Sequence, residues 1–84
     1  MDVLQSYTAF VRSFEAGSFS AVARELGTSQ SAVSKQIATL EVSLGVQLFA
    51  RTTRKLQPTH EARQLYEHVR QLLDAVESLK AAAG

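Results

Sequence analysis

Residues 18–44 constrain the fold most, because they predict two helices joined by a tight turn. Ser18 can cap the free backbone N–H groups of the first helix, and Gly27 predicts where that helix ends. The second helix carries one apolar stripe at helical spacing, formed by Val33, Ile37, Leu40 and Leu44. A small residue, a turn glycine and an apolar anchor in this order are typical of a helix-turn-helix, although a buried helical hairpin shares part of the pattern.

The face opposite this stripe differs from an ordinary solvent-exposed helix face. It carries Gln30, Ser31, Ser34, Lys35 and Ala38, which are small or polar and include a single charge. Small residues allow a partner to approach the helix backbone, and amide, hydroxyl and ammonium groups can bond to base edges and phosphates. We therefore predict DNA contacts from Ser29, Gln30, Ser31, Ser34 and Lys35.

A resemblance to a known family covers nearly the whole chain. The segments AGSFS, SQSAVSKQI, LE followed by LGVQLF, RTTRKL and a downstream PT occur in this order. In order and separation they are similar to the amino-terminal domain of LysR-type transcriptional regulators. The resemblance implies a mainly α winged helix-turn-helix, with a three-helix core and a small β wing, followed by a long dimerisation helix. We accordingly expect a DNA-binding domain at 1–58 and a linker helix at 59–84.

The resemblance also implies a function. A LysR-type regulator would bind double-stranded DNA sequence-specifically, as a dimer on an interrupted inverted repeat, with its recognition helix in the major groove. Its wing would reach the backbone and minor groove, a task that the resemblance assigns to Arg51, Thr53, Arg54 and Lys55. Standing alone, such a group of cations would more often be a solvated loop. We expect the carboxy-terminal effector domain to be absent from this chain. In the full-length parent, a small-molecule effector would act only through that domain. The full-length parent could be a tetramer.

The opening of the chain predicts a supporting helix. Apolar residues repeat at steps of three and four, namely Val3, Leu4, Tyr7, Phe10, Val11 and Phe14. Asp2 and Gln5 have the spacing of a capping box, and Gly17 predicts the end of the helix. Since the aromatic residues lie on the stripe that the fold must bury, we expect them in the core and not stacked on bases.

The last segment predicts one long helix with Thr59 as its cap and Glu61 in its first turn. A heptad seam runs along it and predicts a dimer interface formed by Leu65, Val69, Leu72, Val76, Leu79 and Ala83. The resemblance implies antiparallel pairing, whereas this choice of valine and leucine is better known from parallel pairs, so both orientations stay open. Alternatively the stripe packs on its own domain, as we expect of the neighbouring Tyr66 and Leu73.

Composition argues against an enzyme. The 84 residues suffice for one small domain, and the absence of cysteine excludes a disulfide framework and a thiolate site. His60 and His68 lack the spacing of paired metal ligands, and Ser29, Ser31 and Ser34 have no histidine nearby in sequence. We expect no catalysis, no metal and no cofactor. No apolar run reaches membrane-spanning length, so we expect no membrane partner and a cytoplasmic, nucleoid-associated protein.

Two functions therefore compete, a sequence-specific DNA-binding module and a winged-helix module that dimerises without reading DNA. The formal net charge of +1 does not by itself indicate nucleic acid. A protein-binding surface would favour exposed aromatic or larger apolar groups on the second helix. Because that helix offers hydroxyl, amide and ammonium groups, the sequence favours DNA.

Overall fold

The computed structural model describes residues 3–51, apart from the side chain of Arg51, and residues 56–84. The elements in this part of the chain are α1 (Val3–Ala16), α2 (Phe19–Leu26), α3 (Gln30–Leu44), β1 (Phe49–Arg51), β2 (Leu56–Pro58) and α4 (His60–Ala83). The two strands pair antiparallel, with Phe49 opposite Pro58 and Arg51 opposite Leu56. This arrangement confirms the predicted mainly α fold and its small β wing. Asp2, half of the predicted capping box, lies outside the described residues.

Three helices begin at a hydroxyl residue, as the sequence predicts for Ser18 and Thr59. The side chains of Ser18, Ser29 and Thr59 each accept a hydrogen bond from the backbone N–H three residues later, at 3.2, 3.1 and 3.1 Å. Such a cap satisfies an N–H group that has no partner inside the helix and contributes about 1 kcal/mol. Gly27 and Gly45 end α2 and α3 with φ of 70° and 72°, a left-handed conformation that favours glycine.

The core lies where α1 meets the other helices and the start of the wing. Its largest fully buried side chains are Phe10, Phe49, Ile37, Leu48, Val22 and Val33. The Phe10 ring is tilted against Phe49 at 5.9 Å between centroids, and Phe14 meets Phe10 edge-on at 6.1 Å. Tyr7 and Phe14 are half-buried and pack against the same cluster, which confirms that the aromatic residues of α1 belong to the core.

The apolar stripes are buried in their middle and exposed at their ends. Leu44, predicted to lie in the buried stripe of α3, keeps 37% of its surface exposed, and Val3 and Leu4 at the start of α1 are also exposed. Helical spacing identifies the face that a residue shares, but burial also requires a neighbouring element at that height. Near the ends of α1 and α3 that cover is incomplete, so the prediction for Leu44 is wrong.

Ser13 provides a test of core energetics, because its side chain is fully buried in α1. Among the described residues its hydroxyl has no hydrogen-bond partner. A buried unsatisfied polar group costs about 1–3 kcal/mol, and alanine is also the better helix former. We expect Ser13→Ala to raise the free energy of unfolding by about 1 kcal/mol in a urea titration. A loss of stability would show that the hydroxyl has a partner, such as a buried water molecule.

Candidate nucleic-acid interface

The amino-terminal end of α3 forms an exposed polar surface. Gln30, Ser31 and Lys35 are exposed and Ser34 is half-buried. Gln30, Ser31 and Ser34 line one shallow depression together with Phe19 at the start of α2. The structure thus brings together three of the predicted contact residues of α3, whereas Lys35 is exposed on the same helix but does not line the depression. Phe19 was not among them, although it follows the capping Ser18 in the AGSFS segment.

Ser29 has a structural role as well as an exposed position. Its hydroxyl oxygen accepts the hydrogen bond from the Ala32 N–H that begins α3. A hydroxyl group has one proton to donate and two lone pairs, so this cap leaves its proton available to an acceptor such as a phosphate oxygen. Ser29 therefore both fixes the start of α3 and can contribute to the surface.

The electrostatics of this helix end suit an anion. The first turn of α3 contains no acidic residue, and the first acid along the helix is Glu41. The free N–H groups of a helix start carry a partial positive charge, to which Lys35 on the second turn adds a full one. The surface can accordingly attract phosphate groups while its amide and hydroxyl groups form directional hydrogen bonds.

Glu41 connects α3 to the wing. One oxygen of its carboxylate accepts hydrogen bonds from the backbone N–H of Leu48 at 2.8 Å and of Phe49 at 3.4 Å. This contact fixes the entry to β1 relative to α3. The sequence alone does not predict this role of Glu41. The only signal for it is that Glu41 belongs to the LE segment, one of the segments that resemble the LysR-type family.

Thr59 fixes the other end of the wing. Its hydroxyl donates to the backbone carbonyl of Gln47 at 2.6 Å, while its N–H donates to the carbonyl of Leu48 at 3.0 Å. Since the same hydroxyl caps α4, one residue joins the linker helix to the entry of the wing. The root of the wing is thus held between α3 and α4.

The predicted wing contacts fall at or beyond the edge of the described residues. Arg51 is described only by its backbone, at the end of β1, and Thr53, Arg54 and Lys55 lie outside the described part of the chain. Their role in DNA binding therefore stays a prediction from the sequence.

The predicted dimer seam is divided between two environments. Val69 keeps only 6% of its surface exposed and belongs to the core, and Leu65 is half-buried against it. Leu72 and Leu79, in contrast, are 40% and 69% exposed. Val69 is covered by its own domain, because the first turns of α4 pack on it, and its assignment to the dimer interface stays a prediction from the sequence. We define the outer seam as Leu72, Val76, Leu79 and Ala83. In the single domain Val76 is half-buried and the other three side chains are exposed, so a partner could contact them.

A polar cluster, which we call the α4 clamp, joins α4 to α1. It consists of Arg12 and Glu15 on α1 with Tyr66 and Arg70 on α4. The Glu15 carboxylate accepts hydrogen bonds from the Tyr66 hydroxyl, from Arg70 at 2.8 Å and from Arg12 at 2.7 Å. The hydrogen bond from Tyr66, assisted by the two cations, lowers the pKa of Glu15, and the same bond raises the pKa of Tyr66.

The described part of the chain contains neither a candidate metal site nor a candidate membrane-spanning helix. Residues 3–51 and 56–84 contain no cluster of three or more histidine, cysteine or acidic side chains that could hold a metal ion. Of the described helices, none is both long and apolar enough to cross a membrane.

Comparison with known proteins identifies the family. The sequence model of the bacterial regulatory helix-turn-helix proteins of the lysR family matches residues 4–63. The chain is 39% identical to the probable HTH-type transcriptional regulator LtrA of Klebsiella pneumoniae, over all of this chain and 27% of that protein. It is 58% identical to the HTH-type transcriptional regulator AceR of Acinetobacter baumannii, over 70% of this chain and 20% of that protein. The chain thus spans about a quarter or less of these curated relatives, which are described as regulators and not as enzymes.

Solved structures agree with this result. The BenM DNA-binding domain, in its complex with benA site 1 DNA, superposes with a TM-score of 0.89 at 32% identity. The match covers 99% of this chain and 92% of that one, so it extends over the helix-turn-helix, both strands and α4. The chain therefore belongs to the LysR family of bacterial helix-turn-helix regulators, of which it comprises the amino-terminal winged helix-turn-helix domain.

Proposed function

We propose that this domain binds double-stranded DNA sequence-specifically, as a dimer on an interrupted inverted repeat. In this proposal α3 enters the major groove and the wing reaches the backbone and minor groove. The observation that carries it is the exposed start of α3, where Gln30, Ser31, Ser34 and Lys35 form a surface free of acidic residues. The DNA complex of the similar BenM domain supports the same choice of partner.

The amino-terminal end of α3 is the part best suited to bases. A recognition helix contacts base edges mainly with its first turns, and an amide such as that of Gln30 can bond an adenine edge at two atoms. The hydroxyls of Ser29, Ser31 and Ser34 and the ammonium of Lys35 can bond to phosphates or bases. We assign base reading to this group and backbone positioning to Arg51, Thr53, Arg54 and Lys55.

We propose that the outer seam of α4 pairs two copies of the chain. Leu72 and Leu79 lie seven residues apart, so they face the same way, and both are exposed in the single domain. In this assignment residues 1–58 form the DNA-binding domain and 59–84 the linker helix. A longer parent would add an effector domain that regulates transcription, and would work in the cytoplasm at the nucleoid.

Selection from a pool of random DNA duplexes tests this proposal. We expect enrichment of two inverted half-sites separated by a fixed interval, because a symmetric dimer reads a symmetric site. Enrichment of no sequence would overturn sequence-specific binding, and enrichment of a single unrepeated half-site would overturn binding as a dimer.

The wing assignment predicts a change in salt dependence. Arg54→Ala should weaken binding to selected and random duplexes by a similar factor, because phosphates carry no base sequence. The slope of log affinity against log salt should become shallower by about 0.9 for each lost phosphate contact. Fluorescence anisotropy titrations at several salt concentrations measure this slope.

Lys80→Ala is a matched control that also removes one cation. Lys80 lies twenty residues into α4, about 30 Å along the helix from its start at the wing. Its removal should leave the slope nearly unchanged. An Arg54→Ala variant with an unchanged slope and an altered base preference would contradict a backbone role for the wing.

A further inference from the structure

The two sides of α4 have different surfaces. Tyr66 and Arg70 of the α4 clamp face α1, whereas Leu72 and Leu79 of the outer seam are exposed. Arg70 and Leu72 are two positions apart and therefore point about 200° apart around the helix. Substitutions in the α4 clamp can thus change how α4 is attached without altering the surface that binds a second copy.

The α4 clamp connects three helices through shared groups. Arg12 donates to Glu15 and also donates from a second guanidinium nitrogen to Glu25 on α2, at 2.9 Å. Glu15 in turn accepts from Tyr66 and Arg70 on α4. Because each shared side chain has partners on different helices, the network restrains the direction of α4 relative to both α1 and α2.

An aromatic contact accompanies these polar ones. The Phe14 and Tyr66 rings are stacked, with 4.3 Å between their centroids and 20° between their planes. The stacking fixes the distance between α1 and α4, while the hydrogen bonds of the Tyr66 hydroxyl and Arg70 resist sliding and rotation. Removing the polar groups alone would therefore keep the helices packed but less precisely oriented.

Stability alone does not account for so many shared contacts. The side chains of Arg12, Glu15 and Arg70 are 41%, 28% and 44% exposed, and exposed ion pairs contribute little to folding. What such a network does determine is geometry, since a carboxylate with three donors permits few arrangements of the groups around it.

The α4 residues of the α4 clamp lie in the first half of that helix, so a small change of angle at the clamp displaces the far end of the helix. The chain rises about 1.5 Å per residue in a helix, so Ala83 lies about 20 Å beyond Arg70. A tilt of about 10° at the clamp would move that end by about 3.4 Å, which equals the rise of one base pair. In a dimer, the tilt of α4 in each subunit displaces that subunit's recognition helix, so both tilts change the separation of the two recognition helices.

We propose that the α4 clamp is a positioning device that sets which half-site spacing the dimer accepts, with Glu15 as its central residue. The inference rests on the proposed dimer and inverted repeat. In this role Glu15, Tyr66 and Arg70 touch no DNA; they act by fixing the angle at which α4 leaves the domain. They determine the separation of two α3 helices, and α3 itself determines the sequence of each half-site.

The test uses Tyr66→Phe combined with Arg70→Met, which removes both donors on α4 but keeps the ring that stacks on Phe14. Affinity is measured on duplexes whose two selected half-sites are one to three base pairs closer or farther apart than in the selected site, and on a single half-site. The wild-type dimer should favour one spacing, because a wrong spacing prevents simultaneous engagement of both half-sites. In the variant, the ratio of the affinity for the preferred spacing to the affinity for a wrong spacing should fall about tenfold. Its affinity for a single half-site should stay within about twofold of wild type, and sedimentation should still show a dimer.

Two further variants make the result specific. Glu77→Gln breaks the ion pair of Glu77 with Lys80 on the same helix, at 3.8 Å, and should leave the spacing preference unchanged. Glu15→Gln removes the central charge with almost no change of shape and should broaden the preference, which gives an independent answer if the double variant does not fold.

The outcomes separate this inference from the proposed function. Clamp variants that dimerise and keep the wild-type spacing profile would overturn the positioning role. A broadened profile that came with an equal loss on the single half-site would also overturn it, because the damage would then lie in the reading domain. A wild-type protein without any spacing preference would instead overturn binding to an inverted repeat.

Discussion

Leu72→Asp with Leu79→Asp should give a folded monomer that has lost about 10²- to 10⁴-fold of its affinity for the full inverted repeat. Leu72 and Leu79 are 40% and 69% exposed and neither belongs to the core cluster, so carboxylates at these positions should disrupt few contacts within the domain. In a paired seam the same carboxylates would be buried without partners, which opposes dimerisation strongly. The loss follows because a dimer engages its second half-site intramolecularly, whereas a monomer cannot.

Two measurements check this result together. Sedimentation velocity should show the monomer, with the far-ultraviolet circular dichroism of the wild type largely kept, and affinity for a single half-site should change little. Gln71→Asp with Ser78→Asp is the matched control, since it adds the same charges at two exposed positions next to the seam. A seam variant that stayed dimeric, or that bound the repeat as tightly as wild type, would place the dimer contact elsewhere.

The sequence was most informative where local chemistry decides the structure. Ser18, Ser29 and Thr59 begin helices because each can accept a hydrogen bond from an N–H that the helix leaves free. Gly27 and Gly45 end helices because they adopt the left-handed conformation without strain. Such effects involve only a few neighbouring residues, so their positions can be read directly from the chain.

Burial was less predictable, because it depends on what lies across from each residue. The heptad spacing of Leu65, Val69, Leu72 and Leu79 is the same whether a helix packs on its own domain or on a partner. In the structure α1 covers the first part of this stripe and leaves the second part exposed. No periodicity in α4 alone marks the point where that cover ends.

Contacts between distant residues could not be predicted from spacing at all. Glu15 meets Tyr66 and Arg70 across more than fifty positions of the chain, and on its own helix it is simply an acid near the end. Glu41 likewise looks like an exposed acid until the chain returns after Gly45 and presents the Leu48 N–H to it. Both residues orient elements around the candidate DNA surface, so tertiary structure was needed to recognise what they do.

Gln30→Ala should weaken binding to the selected site by about 1–3 kcal/mol and weaken binding to random duplexes much less. Gln30 is the first residue of α3 and is exposed beside Ser31 at the depression that we assign to base reading. A glutamine amide can bond an adenine edge at two atoms, and alanine can form neither bond. Competition titrations with selected and random duplexes measure the two losses separately.

Gln36→Ala is the matched control, because it removes the same amide from the same helix. Gln36 is half-buried and lines a different groove, with Leu4 and Thr8 of α1, so its loss should not change base preference. A second selection with the Gln30→Ala protein should show relaxed preference at one position of each half-site, since each α3 helix loses the same contact. Equal losses on selected and random DNA would mean that Gln30 positions α3 on the backbone, and base reading would then fall to Ser31, Ser34 and Lys35.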